Sequence, residues 1–246
     1  MFTQASITLS ADDSIRISPE WAYALYGVLC ASFEPCLADA LHEQSFTSVS
    51  QFLHCGNANG PAEWRVVFFG SEQEQFTRVL SRVTRYELTK YSAALNVTSI
   101  KISPPVSEPD FCKTYLTENV PLRRLSMRFV TPTAFKSGGE YVIMPSVELI
   151  FQSLLAKWNA FSEHNQLDAS DVLADICAHT RIVNYSLRSV GYTLKGVTIP
   201  AFAGYIKLSV RGPDMLVRLV NLLVAFGSLS GVGIKTALGM GGVYSV

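Results

Sequence analysis

The chain has 246 residues, 48% of them apolar and 16% charged. That is enough to bury the core of one large domain or two small ones, and too apolar for a disordered segment. Formal net charge is zero, which argues against a generic nucleic-acid coat, yet residues 1–121 hold 8 basic and 13 acidic side chains and residues 122–246 hold 12 and 7. Such asymmetry points to an anionic partner on the C-terminal side.

The opening MFTQASITLSADDS has no basic segment followed by an apolar one, so no secretory signal is expected there. The longest apolar stretch, Met215 to Leu229, is interrupted by Arg218 and Asn221 and is too short for a bilayer. A cytoplasmic protein without membrane association is the expectation. The five cysteines, Cys30, Cys36, Cys55, Cys112 and Cys177, are odd in number and irregularly spaced, with no C-x-x-C. This argues against a disulfide framework or zinc site, and no metal or cofactor is expected.

In chain order, FTQASITLS alternates apolar and polar residues as a strand does. Ser18 and Pro19 then open a helix on which Trp21, Leu25, Val28 and Leu29 recur at helical spacing. EWRVVFFG reads as a buried strand, and Ser71 as the cap of a helix running through RYEL, with Phe76, Val79, Leu80 and Val83 on one face. A last strand ends near Ile102, before the breaker run SPPVSEP.

The second half repeats this order. RRLSMRFVTPT is a strand, PSVELIFQSLLAKWNAF a helix with Leu149, Ile150, Ser153 and Leu154 facing the core, and RIVNYSLRSVGYTLKG and FAGYIKLSVRG are strands. A helix opened by Pro213 and the closing GGVYSV complete it. The pattern predicts an α+β protein of tandem ferredoxin-like (βαββαβ) domains over residues 1–107 and 122–246, joined by a linker at 108–121.

Between the last helix and last strand lies GVGIKTALGMGG, with Gly231, Gly233, Gly239 and Gly241 in two pairs. Glycines allow positive φ and close backbone approach, so successive N–H groups could face an anion, with Lys235 adding a charge. A dinucleotide fingerprint needs a strand before the glycines and a helix after them; here the order is reversed.

This glycine-rich loop resembles that of the RAMP superfamily of CRISPR-associated proteins. FVTPT with the helix after it, FAGYIKLSV, PEWAYALYGVLCASF and the Leu-His segment ADALHEQSFTSVSQF are similar to the Cas six-type endoribonucleases that cut precursor CRISPR RNA within its repeats. The resemblance spans nearly the whole chain. It implies a metal-independent cut in which a ribose 2′-OH attacks the adjacent phosphorus, leaving a 2′,3′-cyclic phosphate and a 5′-OH. It also implies repeat RNA as partner, with effector-complex subunits and a homodimer as further candidates.

That reaction needs a base, an acid and charge stabilisation at the phosphoryl group. Histidine, with an unperturbed pKa of about 6.5, suits either proton role. His42 matches the family's catalytic histidine, and His54 is the candidate second acid–base group. A tyrosine and a lysine complete the site in some members. The tyrosine position is Cys30 here, no lysine lies between His42 and Arg65, and Tyr26, one turn from Cys30, is the expected substitute. For RNA binding the candidates are Gly231, Gly233, Lys235, Gly239 and Gly241, with Arg123, Arg124, Arg128 and Arg181; Arg188 lies on the same strand as Arg181. Two alternatives remain: a catalytically weak RAMP subunit that holds CRISPR RNA, and a ferredoxin-like small-molecule module, which would leave the paired glycines unexplained.

Overall fold

The computed structural model describes residues 1–12, 15–33, 48–56 and 60–245. The chain divides into two units, Met1–Val106 with Thr236–Gly239, and Ser107–Lys235 with Met240–Val246.

The first unit runs β1 (Phe2–Ser10), α1 (Ala22–Ala31), β2 (Val49–Cys55), β3 (Ala62–Phe69), α2 (Gln73–Arg82), β4 (Arg85–Leu88) and β5 (Ala93–Ile102). Its sheet is antiparallel in the order β2-β3-β1-β5-β4. Without the edge strand β4 this is the ferredoxin-like arrangement. The alternation read in β1 is real: Ala5, Ile7 and Leu9 are fully buried and Ser6 and Thr8 are not. They join Leu25, Trp64, Phe68, Phe76 and Leu80 in one core. Ser18 accepts from the Glu20 N–H at the turn Pro19–Trp21 that leads into α1.

Two local expectations are corrected. Ser71 does not cap α2; its hydroxyl donates to the Glu72 carboxylate at 2.7 Å, and the helix has no side-chain cap. The helix also stops at Arg82, because RYEL alternates with period two, and Tyr86 and Leu88 are buried while Arg85 and Glu87 are exposed. As β4 it buries that face and pairs its backbone with β5.

In the second unit, α3 (Glu108–Lys113) runs into a π-helical turn, Thr114–Glu118. Then follow β6 (Arg124–Thr133), the hairpin β7 (Phe135–Ser137) and β8 (Glu140–Val142), α4 (Val147–Phe161), α5 (Ala169–His179), β9 (Thr180–Leu194), β10 (Val197–Val210), α6 (Asp214–Ser230) and β11 (Val243–Ser245). The main sheet is again antiparallel, in the order β11-β6-β10-β9. The protein is therefore an α+β chain of tandem ferredoxin-like units.

Residues 108–121, read from sequence as a linker, are helical over most of their length and belong to this unit. Glu108 anchors them. Burial raises its pKa, but hydrogen bonds from the Ser162 hydroxyl, the Glu163 and Asn165 N–H groups and the Asn165 amide outweigh this and leave it lowered. Helix α5 is an addition to the sequence reading. Asp168 caps it, and Ile176 is its one fully buried residue, so the apolar periodicity is weak. Among the described residues no helix is long and apolar enough to cross a membrane.

Candidate nucleic-acid interface

Alternation on β6 and β10 sorts the second sheet into two faces. Leu125, Met127 and Phe129 on β6 and Ile206, Leu208 and Val210 on β10 are buried. The residues between them point the other way and line up across strands. Arg124 lies opposite Ser209, which lies opposite Arg181; Ser126 opposite Lys207, opposite Asn184; Arg128 opposite Tyr205, opposite Ser186, with Tyr244 of β11 on the far side of Arg128. Arg188 follows beside Ala203. Among the described residues this face carries five cations and no carboxylate. Arg124, Arg128, Lys207 and Arg188 are exposed, and Tyr205 is 37% exposed. Successive rows lie about 7 Å apart, a spacing at which cations can follow a phosphodiester chain while an exposed ring stacks on a base.

The structure separates arginines that sequence had grouped. Arg123 is committed: its guanidinium donates to the Gly212 carbonyl at 3.1 Å and pairs with Asp214 at 2.6 Å. Arg181 is partly committed, donating to the Cys177 and Thr180 carbonyls at the C-terminus of α5. Arg124 and Arg128 have no such partner among the described residues. Sequence reasoning missed Lys207 and Tyr205; the signal was there, since FAGYIKLSV places them two apart on a strand that continues the register of Arg128.

The glycine-rich loop is less available than its composition implies. The N–H of Val232 donates to Gly241, those of Ile234 and Gly241 to Ala134 and Pro132, and that of Met240 to Lys235. The N–H groups of Gly233 and Gly242 donate to the hydroxyls of Ser153 and Thr131. These donors are spent inside the fold. What the loop needs from glycine is proximity: at Gly233, φ is +81° and a Cβ would sit 2.3 Å from the Ala134 carbonyl oxygen. Two side chains one turn apart on α4 grip the loop's entry, Ser153 at Gly233 and Lys157 at the Ser230 and Gly231 carbonyls, 3.3 and 2.9 Å away. The stem of Lys157 is partly exposed but its amine is enclosed, and burial pushes it down to about 7. Lys235 is exposed, in the left-handed region with φ of 55°.

In the first unit, His42 and the Leu-His segment around it lie outside the described residues. Tyr26 is buried on α1, in the core, hydrogen-bonded with Cys30, and burial raises its pKa well above the usual phenol range. Burial likewise raises the Cys30 thiol, which the Tyr26 hydrogen bond opposes. His54 is on β2 between core residues Leu53 and Cys55, so it points to the opposite face of the sheet, where it lies opposite Glu63. The structure does not bring His54 and Tyr26 together. Among the described residues no three His, Cys, Asp or Glu side chains form a metal-binding group, and Cys30, Cys55, Cys112 and Cys177 are free thiols.

Two ferredoxin-like units, one of them with an uncovered cationic face, define the structural class. A family model for the CRISPR-associated endoribonuclease Cas6 matches residues 127–243. The chain is 43% identical over 118 residues to a CRISPR-associated endoribonuclease Cas6 of Streptococcus thermophilus, an alignment covering 48% of this chain and 49% of that one. It is 28% identical over 225 residues to one of Mycobacterium tuberculosis, covering 89% of this chain and 69% of that one. In fold it is similar to a Cas6 product complex (TM-score 0.82, 21% identity, all of both chains) and to Thermus thermophilus Cas6 (TM-score 0.76, 21% identity, 100% and 98%). Over its C-terminal half the chain is similar to the Cas6-type CRISPR endoribonucleases, and it spans about half the length of the first of these relatives.

Proposed function

We propose that this chain binds CRISPR repeat RNA and cuts the precursor transcript within its repeats. The ribose 2′-OH attacks the adjacent phosphorus and the 5′-oxygen departs, giving a 2′,3′-cyclic phosphate and a 5′-OH without a metal. The observation that carries the RNA reading is the carboxylate-free open face, where Arg124, Lys207 and Arg128 project beside Tyr205. Arg181 and Arg188 flank it, and Lys235 offers a further phosphate contact from the loop. The glycines Gly231, Gly233, Gly239 and Gly241 act in this reading by shaping the loop that holds Lys235. His42 is the general base or acid, by its match to the family's Leu-His segment. The cytoplasm, where the array is transcribed, is the place of action, and effector-complex subunits or a second copy are the protein partners this role would bring.

A second reading is favoured by one feature. The Tyr26 hydroxyl is buried against Cys30 and His54 faces away from it, so these candidates do not form an acid–base pair. A chain whose general acid is weak would cut once and keep its RNA.

Incubation with repeat RNA from the protein's own array, in EDTA, tests both. Cutting at one position to a cyclic-phosphate end, lost in His42→Ala while binding persists, is the expected result. Binding without cutting by either protein would sink the enzyme reading and leave an RNA-holding subunit. Equal cutting by both would remove His42 from the chemistry.

A further inference from the structure

A cavity of about 290 Å³ opens in the second unit, lined by Tyr115, Asn119, Val120, Pro121, Leu122 and Asn221. That is the small end of ligand-site sizes, room for one planar group. Asn221 is part of the scaffold: its carboxamide accepts from the Leu122 N–H at 3.0 Å and donates to the Leu122 and Val217 carbonyls. Of the other walls, Tyr115 is half-buried with its ring packed against Phe111, centroids 4.8 Å apart. Val120 is 82% exposed and Leu122 50% exposed, two apolar side chains open to solvent on one rim. The Tyr115 hydroxyl and the Asn119 carboxamide have no hydrogen-bond partner among the described residues, though the Asn119 backbone is held by Arg218 and Thr114.

The pocket adjoins the open face along the chain. Leu122 is two residues before Arg124, which opens β6 and begins the cationic rows. Arg218 reaches one of the lining residues, its Nη1 donating to the Asn119 carbonyl at 2.8 Å. Arg123, between Leu122 and Arg124, is neutralised by Asp214. The separation of two residues keeps Leu122 within about 7 Å of Arg124 along the chain.

We infer that this pocket takes one unstacked base of single-stranded RNA, an inference that rests on the RNA reading of the open face. The Tyr115 ring, Val120 and Leu122 provide the apolar and stacking surface. The Asn119 carboxamide, with both a donor and an acceptor, reads the base edge, as such amides pair bidentately with bases. Arg218 takes a neighbouring phosphate. The neighbouring cations Arg124 and Arg218 favour a nucleotide over a neutral peptide.

The test is fluorescence anisotropy of the full chain with labelled RNA hexamers of A, C, G and U. The wild type should rank the four bases. Asn119→Ala and Tyr115→Phe should narrow that ranking and weaken the best hexamer by about tenfold, and Val120→Ser should weaken all of them. Arg128→Ala separates the two claims. If it weakens binding while the pocket variants change neither affinity nor ranking, the pocket proposal fails alone and Val120 and Leu122 become a protein-docking surface. If the wild type binds no hexamer, and no repeat RNA in the same assay, the RNA reading fails and this inference with it.

Discussion

The side-chain amide of Gln51 on β2 donates to the carbonyl oxygen of Ala237 at 2.9 Å, a bond within the first unit, to which the middle of the glycine-rich segment, Thr236–Gly239, belongs. The same amide donates to the Ala22 carbonyl at 3.0 Å, and its oxygen accepts from the Trp64 indole at 2.8 Å. Gln51 is 1% exposed, so each partner would lose its bond in the dark of the core. Gln51→Leu should destabilise the protein by about 2–3 kcal/mol, because an unsatisfied buried polar group costs about 1–3 kcal/mol. Urea denaturation checks this; a change under about 0.5 kcal/mol would show that the three groups find other partners.

The open face makes a graded prediction. Arg124→Ala, Arg128→Ala and Lys207→Ala should each weaken repeat-RNA binding and reduce the steepness of its salt dependence by about 0.7–1 in log–log slope, one phosphate contact apiece. Arg123→Ala should leave the slope unchanged, since its guanidinium is spent on Gly212 and Asp214. Equal effects from all four arginine and lysine variants would mean that fold geometry does not select the contacts.

Gly233→Ala should be severely destabilising, by about 2 kcal/mol or more, because the added Cβ would lie 2.3 Å from the Ala134 carbonyl oxygen and the backbone has φ of +81°. Gly139→Ala has a comparable positive φ of +89° but open space around the Cβ, so it should cost only the conformational strain of about 1 kcal/mol. Matched thermal melts would distinguish them, and equal shifts would remove close approach as the reason for glycine in this loop.

Lys157 gives the protein a pH signature. Its amine has a pKa of about 7 in the fold against an ordinary 10.5, so between these values the unfolded chain binds a proton that the folded chain does not. Stability should therefore rise with pH across roughly that interval, by up to about 1.4 kcal/mol per pH unit from this group, and be flat with respect to it below about pH 7. Denaturation from pH 6 to 9, compared with Lys157→Met, should show the rise in the wild type alone. Parallel curves would mean that the amine stays charged against the Ser230 and Gly231 carbonyls.

Much of the fold was legible because its elements are local patterns. Period-two alternation marked β1, β6 and β10, and helical periodicity marked α1, α4 and α6. The failures came where local signal is ambiguous or faint. RYEL continues a helical run in propensity and becomes a strand because β5 offers backbone partners and the core takes Tyr86 and Leu88. Helix α5 has a single fully buried residue to announce it.

The site divides along the same line. Sequence by itself determined that the C-terminal half is basic, that a glycine-rich loop precedes the last strand, and that the chain resembles the Cas6-type proteins. Those are properties of composition, order and motif. Only the tertiary structure decided that Arg123 is neutralised while Arg124 and Arg128 are not, that His54 and Tyr26 sit on opposite faces of one sheet, and that the N–H groups of Gly233, Ile234, Gly241 and Gly242 are taken by Ser153, Ala134, Pro132 and Thr131. A charge or a hydrogen-bond donor is written in the chain, but whether it is already satisfied depends on neighbours far away in sequence.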